Sequence, residues 1–219
     1  MRLDQETERV LQFEKLLSDD EIARGRRFHA ERHRRRFIVS RGALRTLLSH
    51  YLSVKPGDIV FGYSSHGKPF VQEQSHHVNF NMSHSGEYAI YAVSREYQIG
   101  VDIEFLDRKI EFDDVAKRFF EPREYTDMRE LPQAVRKRAF MACWTRKEAV
   151  VKALGDGLSI PLDQFRVSAD PDAPPCVIEI SAKHHQLSYW IMHTLDVGCE
   201  YYATLAGYRS DINDAQKYR

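Results

Sequence analysis

The spacing of apolar residues changes three times along this chain, and the order of those changes limits the folds open to it. From Asp19 onward, Phe37, Ile38, Leu44, Leu47, Leu48 and Tyr51 recur near the helical period, with Asp19 or Asp20 placed to cap and Pro56-Gly57 to end the run. Short β-branched or aromatic segments follow at Ile59 to Tyr63, Val78 to Met82, Tyr88 to Ser94 and Ile99 to Phe105, separated by turn residues, which predicts antiparallel hairpins. Helical periodicity returns over Phe112 to Phe120, Pro122 to Leu131 and Pro132 to Leu154, the last stopped by Gly155 and Gly157. A second antiparallel set is expected over Phe165 to Ser168, Val177 to Ser181, Leu187 to Leu195 and Tyr201 to Gly207, with Pro171 to Pro175 as a loop. This order predicts an α+β fold of two similar halves, 1–105 and 106–219, each with helices packed on an antiparallel sheet and the active site between them.

Charge is neutral only in sum. The chain has 32 Lys+Arg and 32 Asp+Glu, which excludes a uniformly basic nucleic-acid binder. Residues 1–21 hold three basic and seven acidic residues, whereas 22–55 hold ten basic and one acidic, so a cationic block follows an acidic one. Phe37, Ile38 and Leu44 need the core side of the helix, so most of these arginines are expected in solvent, with a subset lining a cleft. Cys143, Cys176 and Cys199 form no C-x-x-C pair, so neither a disulfide framework nor a zinc site is indicated, and a reducing cytoplasm is expected. No apolar run reaches the length of a membrane span, and neither export nor insertion is expected.

Several segments can carry chemistry. On a strand through Gly100-Val101-Asp102-Ile103-Glu104, alternation directs Ile99, Val101 and Ile103 to one side and both carboxylates to the other. An all-oxygen pair of this kind suits a hard ion such as Mg²⁺ beside substrate phosphate; the plainer reading is an edge strand with solvated acids. Helical spacing places Trp144, Glu148 and Lys152 on one stripe, where Glu148 could complete a Mg²⁺ site and Lys152 could neutralise phosphate oxygens. The plainer reading there is a surface Glu–Lys pair beside a core tryptophan. In Asn79-Phe80-Asn81-Met82-Ser83-His84-Ser85-Gly86, turn amides, hydroxyls and His84 could collect phosphate oxygens. Neighbouring Ser83 and His84 do not read as a nucleophilic pair, because adjacent strand residues face opposite ways and no G-x-S-x-G elbow is present. His66-Gly67-Lys68-Pro69 fixes one lysine at a turn.

In this order, H-G-K-P at His66 to Pro69, F-N-M-S-H-S-G at Phe80 to Gly86, G-V-D-I-E at Gly100 to Glu104, R-F-F-x-x-x-E-Y at Arg118 to Tyr125 and W-T-R-K-E-A-V-V-K-A-L-G-D-G-L at Trp144 to Leu158 resemble the surfactin-type 4′-phosphopantetheinyl transferases. The resemblance implies attack of a carrier-protein serine on the β-phosphorus of coenzyme A, with release of 3′,5′-ADP. It implies Mg²⁺ or Mn²⁺ on Asp102, Glu104 and Glu148, and Lys152 on the phosphate and the departing oxygen. Glu148 or a metal-bound water would remove the serine proton, with Glu124 as a further catalytic candidate. Coenzyme A contacts map to Arg36, Lys68, Ser83, His84 and Lys152, with Arg36 at the position for the 3′-phosphate. Asp20 and Ala23 stand near places where members carry lysines, and Arg24, Arg26 or Arg27 could substitute. The expected partners are an apo acyl or peptidyl carrier protein and coenzyme A, with no nucleic acid and no membrane, for a cytoplasmic monomer. The competing reading from the residues alone is a nucleic-acid-binding module on the 22–55 segment, although no aromatic platform accompanies its arginines. A phosphohydrolase with Asp102 as nucleophile lacks its surrounding signature.

Overall fold

The computed structural model describes residues 1–72, 78–107, 111–155, 160–180 and 189–209. The first helical run is divided into α2 (Asp19–Gly25) and α3 (Glu31–Leu52), and a further helix, α1 (Thr7–Glu14), precedes it. The cap of α2 is Ser18, one residue before the expected aspartates, and Glu21 closes a capping box with it. α1 escaped the sequence reading because its charged residues obscure a short buried stripe of Val10 and Phe13. Two hairpins follow: β1 (Phe61–Tyr63) with β2 (Pro69–Val71), and β3 (Asn79–Ser85) with β4 (Tyr88–Ser94). Next come β5 (Gln98–Phe105), α4 (Phe112–Phe119), α5 (Pro122–Glu130) and α6 (Gln133–Leu154), then β6 (Phe165–Val167), β7 (Val177–Ile180), β8 (Trp190–Leu195) and β9 (Tyr201–Tyr208). The α+β architecture of helices on antiparallel sheets is as expected. Gly155 ends α6 with φ +80°, a conformation glycine adopts without a Cβ penalty. Asp156 to Leu158, Ser181, and Leu187 and Ser188 at the start of an expected strand lie outside the described residues.

The central sheet joins the two parts of the sequence. β5 pairs antiparallel with β9, Asp102 opposite Thr204, and β9 pairs with β8. Along its other edge β5 runs in the same direction as β3, and side chains replace a backbone ladder there. The N–H of Val101 donates to Asn81 Oδ1 at 3.0 Å, and that of Phe105 donates to Ser85 Oγ at 3.1 Å. Polar residues of β3 therefore satisfy buried amides of β5 that would otherwise lack acceptors.

Helix α6 lies directly across β5 and β9. Its approach depends on Gly100: a Cβ there would sit 2.0 Å from the carbonyl oxygen of Ala149 and 2.4 Å from the nitrogen of Ala153. The other surfaces of α6 bury Phe140, Met141, Val150 and Val151 in the C-terminal core. Trp144 is only partly covered, packing beside Phe140 with ring centroids 5.9 Å apart.

The cationic block is largely folded onto the acidic segment before it. Arg41 and Arg45, expected in solvent or in a cleft, are 6% and 1% exposed and share the buried carboxylate of Glu21 at 2.7 Å each. Arg45 also donates to the carbonyls of Pro56 and Ile59, linking α2, α3 and the entry to β1. Arg32 and Arg36 pair with Asp4, and Arg34 with Glu14. The continuous basic face needed for the nucleic-acid reading is not present on 22–55, because five of its arginines have carboxylate partners. Arg24, Arg26 and Arg27 remain exposed around the α2–α3 connection.

A second buried ion pair, Lys147 to Glu124 at 2.8 Å, lies in the C-terminal core with both side chains fully enclosed. Lys147 also donates to the carbonyls of Leu162 and Phe165, and Glu124 accepts from the N–H of Val167 at 2.7 Å and of Glu121 at 2.9 Å. Removing one member of such a pair leaves an uncompensated buried charge. Glu21→Gln and Glu124→Gln are each expected to lower unfolding free energy in urea titrations by about 3–5 kcal/mol; a change within experimental error would remove the pair from the set of fold determinants. Gly100→Ala should cost at least about 1–3 kcal/mol from overpacking against helix backbone. Unchanged stability in that variant would show that the strand and helix can separate freely.

Candidate functional site

The approach of α6 to β5 brings two sequence patterns together. Strand alternation puts Gly100, Asp102 and Glu104 on one side, and Gly100 is the residue that meets α6. On α6, Trp144, Glu148 and Lys152 are spaced at i, i+4 and i+8, each half-buried. Asp102 is 3% exposed, so the reading of an edge strand with solvated acids does not hold. Its Oδ1 accepts from Lys152 Nζ at 2.6 Å and from Ser83 Oγ at 2.8 Å, and Lys152 also donates to Ser83 Oγ at 3.1 Å. Lys152 is therefore not in an i, i+4 pair on the surface; its ion partner comes from the strand.

The opposite oxygen, Asp102 Oδ2, is buried without a hydrogen-bond partner. An ionised carboxylate oxygen left that way is unfavourable unless something electropositive meets it. Glu104, half-buried, accepts from Ser85 Oγ at 2.9 Å. Burial pushes the Glu148 carboxyl above its ordinary pKa, the charges of Asp102 and Glu104 push the same way, and Lys152 opposes them. The charges of Asp102 and Glu104 thus reach Glu148, and the Lys152 ammonium engages Asp102. Their donor set suits a hard divalent cation, and the unpartnered Oδ2 gives it a place to act. Among the described residues, no three His, Cys, Asp or Glu side chains already stand in a cage for such an ion, so Glu104 and Glu148 would have to turn inward around it.

The remaining expected residues divide into two groups. His84, next to Ser83 on β3, has an exposed ring whose pKa is lowered, first by partial desolvation and then by the Lys152 cation, which favours the neutral imidazole. Lys68 reaches the C-terminus of α6, donating to the carbonyls of Ala153 at 3.1 Å and Ile99 at 3.4 Å. Arg36 is close enough to influence His84 but is engaged by Asp4 and by the carbonyl of Gly86. Glu124 is not brought to the cluster. Enclosed at 0% exposure, with Lys147 and two backbone amides on its oxygens, it is a core residue, and a catalytic place for it is not supported.

Two participants, Asn81 and Thr204, were not singled out from sequence, and a third, Ser85, was read there only as a turn hydroxyl. Asn81 and Ser85 hold β3 against β5, and Ser85 also orients Glu104; both lie in the F-N-M-S-H-S-G segment at alternate positions with Ser83, which was the available signal. Thr204 on β9, opposite Asp102, shares a buried hydroxyl contact of 2.9 Å with Thr145 of α6, tying helix to sheet one turn before Glu148. No described helix is long and apolar enough to cross a membrane.

Residues 98–206 match the family described as the 4′-phosphopantetheinyl transferase superfamily, and residues 5–96 match a second description, 4′-phosphopantetheinyl transferase, N-terminal. The 4′-phosphopantetheinyl transferase HetI of a Nostoc species is 41% identical over 174 residues, covering 78% of this chain and 73% of that protein. A Bacillus subtilis 4′-phosphopantetheinyl transferase is 32% identical over 189 residues, covering 86% and 81%. The Sfp transferase of Bacillus subtilis is 32% identical over 168 residues, covering 77% and 72%. With both parts of the sequence matched and Asp102, Ser83 and Lys152 joined where β5 meets α6, the chain belongs to the 4′-phosphopantetheinyl transferase superfamily.

Proposed function

We propose that this protein moves the 4′-phosphopantetheine group of coenzyme A onto a serine of an apo acyl or peptidyl carrier protein, releasing 3′,5′-ADP, in the manner of the surfactin-type members. The observation that carries the reading is Asp102: its Oδ1 is neutralised by Lys152, while its buried Oδ2 has no partner and stands with Glu104 and Glu148 nearby. This is a place for cationic charge beside a pyrophosphate. Mg²⁺ or Mn²⁺ held by Asp102, Glu104 and Glu148 would supply that charge and lower the repulsion met by an incoming hydroxyl.

The side chains divide the remaining work. The serine oxygen forms a bond to the β-phosphorus as the bond from that phosphorus to the bridging oxygen breaks, and the pair of electrons leaves with 3′,5′-ADP. We assign Lys152 to that departing oxygen; the contacts of its ammonium with Asp102 and Ser83 support the assignment by holding it in a fixed position. Glu148 is our candidate for accepting the serine proton, since burial and like charges make it more basic than an ordinary glutamate. Ser83, His84 and Lys68 are the side chains we assign to coenzyme A, with His84 acting as a neutral hydrogen-bonding group.

Incubation with coenzyme A, Mg²⁺ and an apo carrier protein should add one phosphopantetheine, read by mass spectrometry; no addition to any of a panel of carrier proteins would overturn the reading. Asp102→Asn and Glu148→Gln should each lower kcat by at least about 100-fold with an unchanged circular dichroism spectrum. Activity near that of the parent in either variant removes that residue from the site. Because the Glu148 pKa is raised, protons compete with metal until the pH passes it: Mg²⁺ affinity should rise with pH through that range and binding should release protons, measurable by calorimetry in buffers of different ionisation enthalpy. Metal affinity independent of pH would exclude Glu148 as a ligand.

A further inference from the structure

Strands β3 and β5 run in the same direction, and three residues at alternate positions of β3 each reach across to β5. Asn81 Oδ1 accepts from the N–H of Val101 at 3.0 Å, Ser83 donates to Asp102 Oδ1 at 2.8 Å, and Ser85 donates to Glu104 Oε2 at 2.9 Å. Alternation on both strands thus gives each carboxylate of β5 its own hydroxyl from β3. These contacts join the N-terminal part of the sequence to the sheet that α6 covers, so Asp102 and Glu104 belong to a seam as well as to the site.

A serine hydroxyl rotates freely unless its neighbours fix it, and it has one hydrogen to donate. At Ser85 the rotation is fixed from the other side: the oxygen accepts the N–H of Phe105 at 3.1 Å, which leaves its own hydrogen for Glu104. Ser83 is fixed in the same way by Lys152, whose ammonium donates to its oxygen at 3.1 Å. The two hydroxyls differ in what depends on them. Asp102 is 3% exposed and has Lys152 on the oxygen that Ser83 engages, so it is held without the serine. Glu104 is half-buried, has a longer side chain, and shares its face of β5 with the charge of Asp102. Like charge on one side and solvent on the other both favour a glutamate turned outward, and the hydrogen bond from Ser85 opposes that.

We propose that Ser85 is a positioning residue for the divalent ion: its hydroxyl, fixed by the Phe105 amide, keeps the Glu104 carboxylate at the cluster, so that holding the ion and closing β3 onto β5 support each other. The proposal rests on the reading of Asp102, Glu104 and Glu148 as ligands of that ion. Mn²⁺ is titrated into the protein with coenzyme A and no carrier protein, the free ion being read from its electron paramagnetic resonance signal against coenzyme A alone. Ser85→Ala is expected to weaken Mn²⁺ binding roughly tenfold, and Ser85→Thr, which keeps the hydroxyl, to bind within about threefold of the parent. A serine that only holds two strands together would affect stability and leave the affinity where it was, so parent-like affinity in Ser85→Ala overturns the proposal. Equal losses in Ser85→Ala and Ser85→Thr overturn it too, because the hydroxyl would then not be the cause. If the parent binds no more Mn²⁺ than coenzyme A does alone, the ligand reading falls and the proposal with it; if the parent binds and Ser85→Ala matches it, the proposal alone falls.

Coupling between two events is reciprocal, which supplies a second readout in the parent itself. If Ser85 raises affinity for the ion, the ion must strengthen the Ser85 contacts by the same factor, so saturating Mg²⁺ should slow hydrogen exchange at the Phe105 amide roughly tenfold. In Ser85→Ala, where that amide has lost its acceptor, the slowing should vanish. If Ser85→Ala does not fold, the parent decides: exchange at Phe105 that is the same with and without bound ion overturns the coupling.

Discussion

The contact of α6 with β5 at Gly100 is the constraint from which the site follows. A helix and a strand present side chains with different periods, and they put two pairs of functional groups face to face only if their axes lie at one separation and angle. Hydrogen in place of a side chain at position 100 lets helix backbone reach strand backbone, with Ala149 and Ala153 as the small residues opposite. Two positions along the strand from that contact is Asp102; on the helix, Glu148 and Lys152 bracket Ala149. The ion pair between Lys152 and Asp102 is short because the backbones are close, and the unpartnered Oδ2 is buried for the same reason.

The second organising fact is that buried charge is matched by its partners in two places and left partly unmatched in a third, each with a different job. Glu21 neutralises two arginines and fastens α2 to α3. Glu124 and Lys147 fasten α5 and the entry to β6 against α6. Both are fully matched by hydrogen bonds, as buried ions must be to persist. The Asp102 cluster differs: Lys152 and Ser83 engage one oxygen of the carboxylate, and the other is left over. A buried carboxylate oxygen without a partner does not help folding, so its retention at the junction of strand and helix argues for a use in chemistry.

The motif helix illustrates how much was legible in sequence. The stripe of Trp144, Glu148 and Lys152 could be read from spacing, and so could the shared face of Asp102 and Glu104. Within the same helix, Arg146 and Lys147 look like solvent-facing cations and are both completely enclosed. Arg146 donates to the carbonyls of Ser168 and Asp170, and Lys147 to those of Leu162 and Phe165. Apart from Glu124 on Lys147 and the Ser168 hydroxyl on Arg146, their acceptors are backbone atoms of a segment distant in sequence, so no local pattern could announce them. Glu124 failed for a related reason: a glutamate in a family-like motif was a reasonable catalytic candidate until its oxygens were found occupied in the core.

Periodicity, turn residues and the order of motifs were enough, by themselves, to determine most of the elements, the α+β class and the family resemblance, because those depend on neighbours within a few residues of each other. Tertiary structure alone decided which charges were available. Whether an arginine faces solvent, a buried glutamate or a carbonyl depends on partners between about twenty and fifty residues away, as with Arg45 and Glu21 or Arg36 and Gly86. The neutral sum of the composition hid those pairings, since folding the acidic first segment onto the cationic second cancels charge locally and leaves the unpartnered oxygen of Asp102 where β5 meets α6.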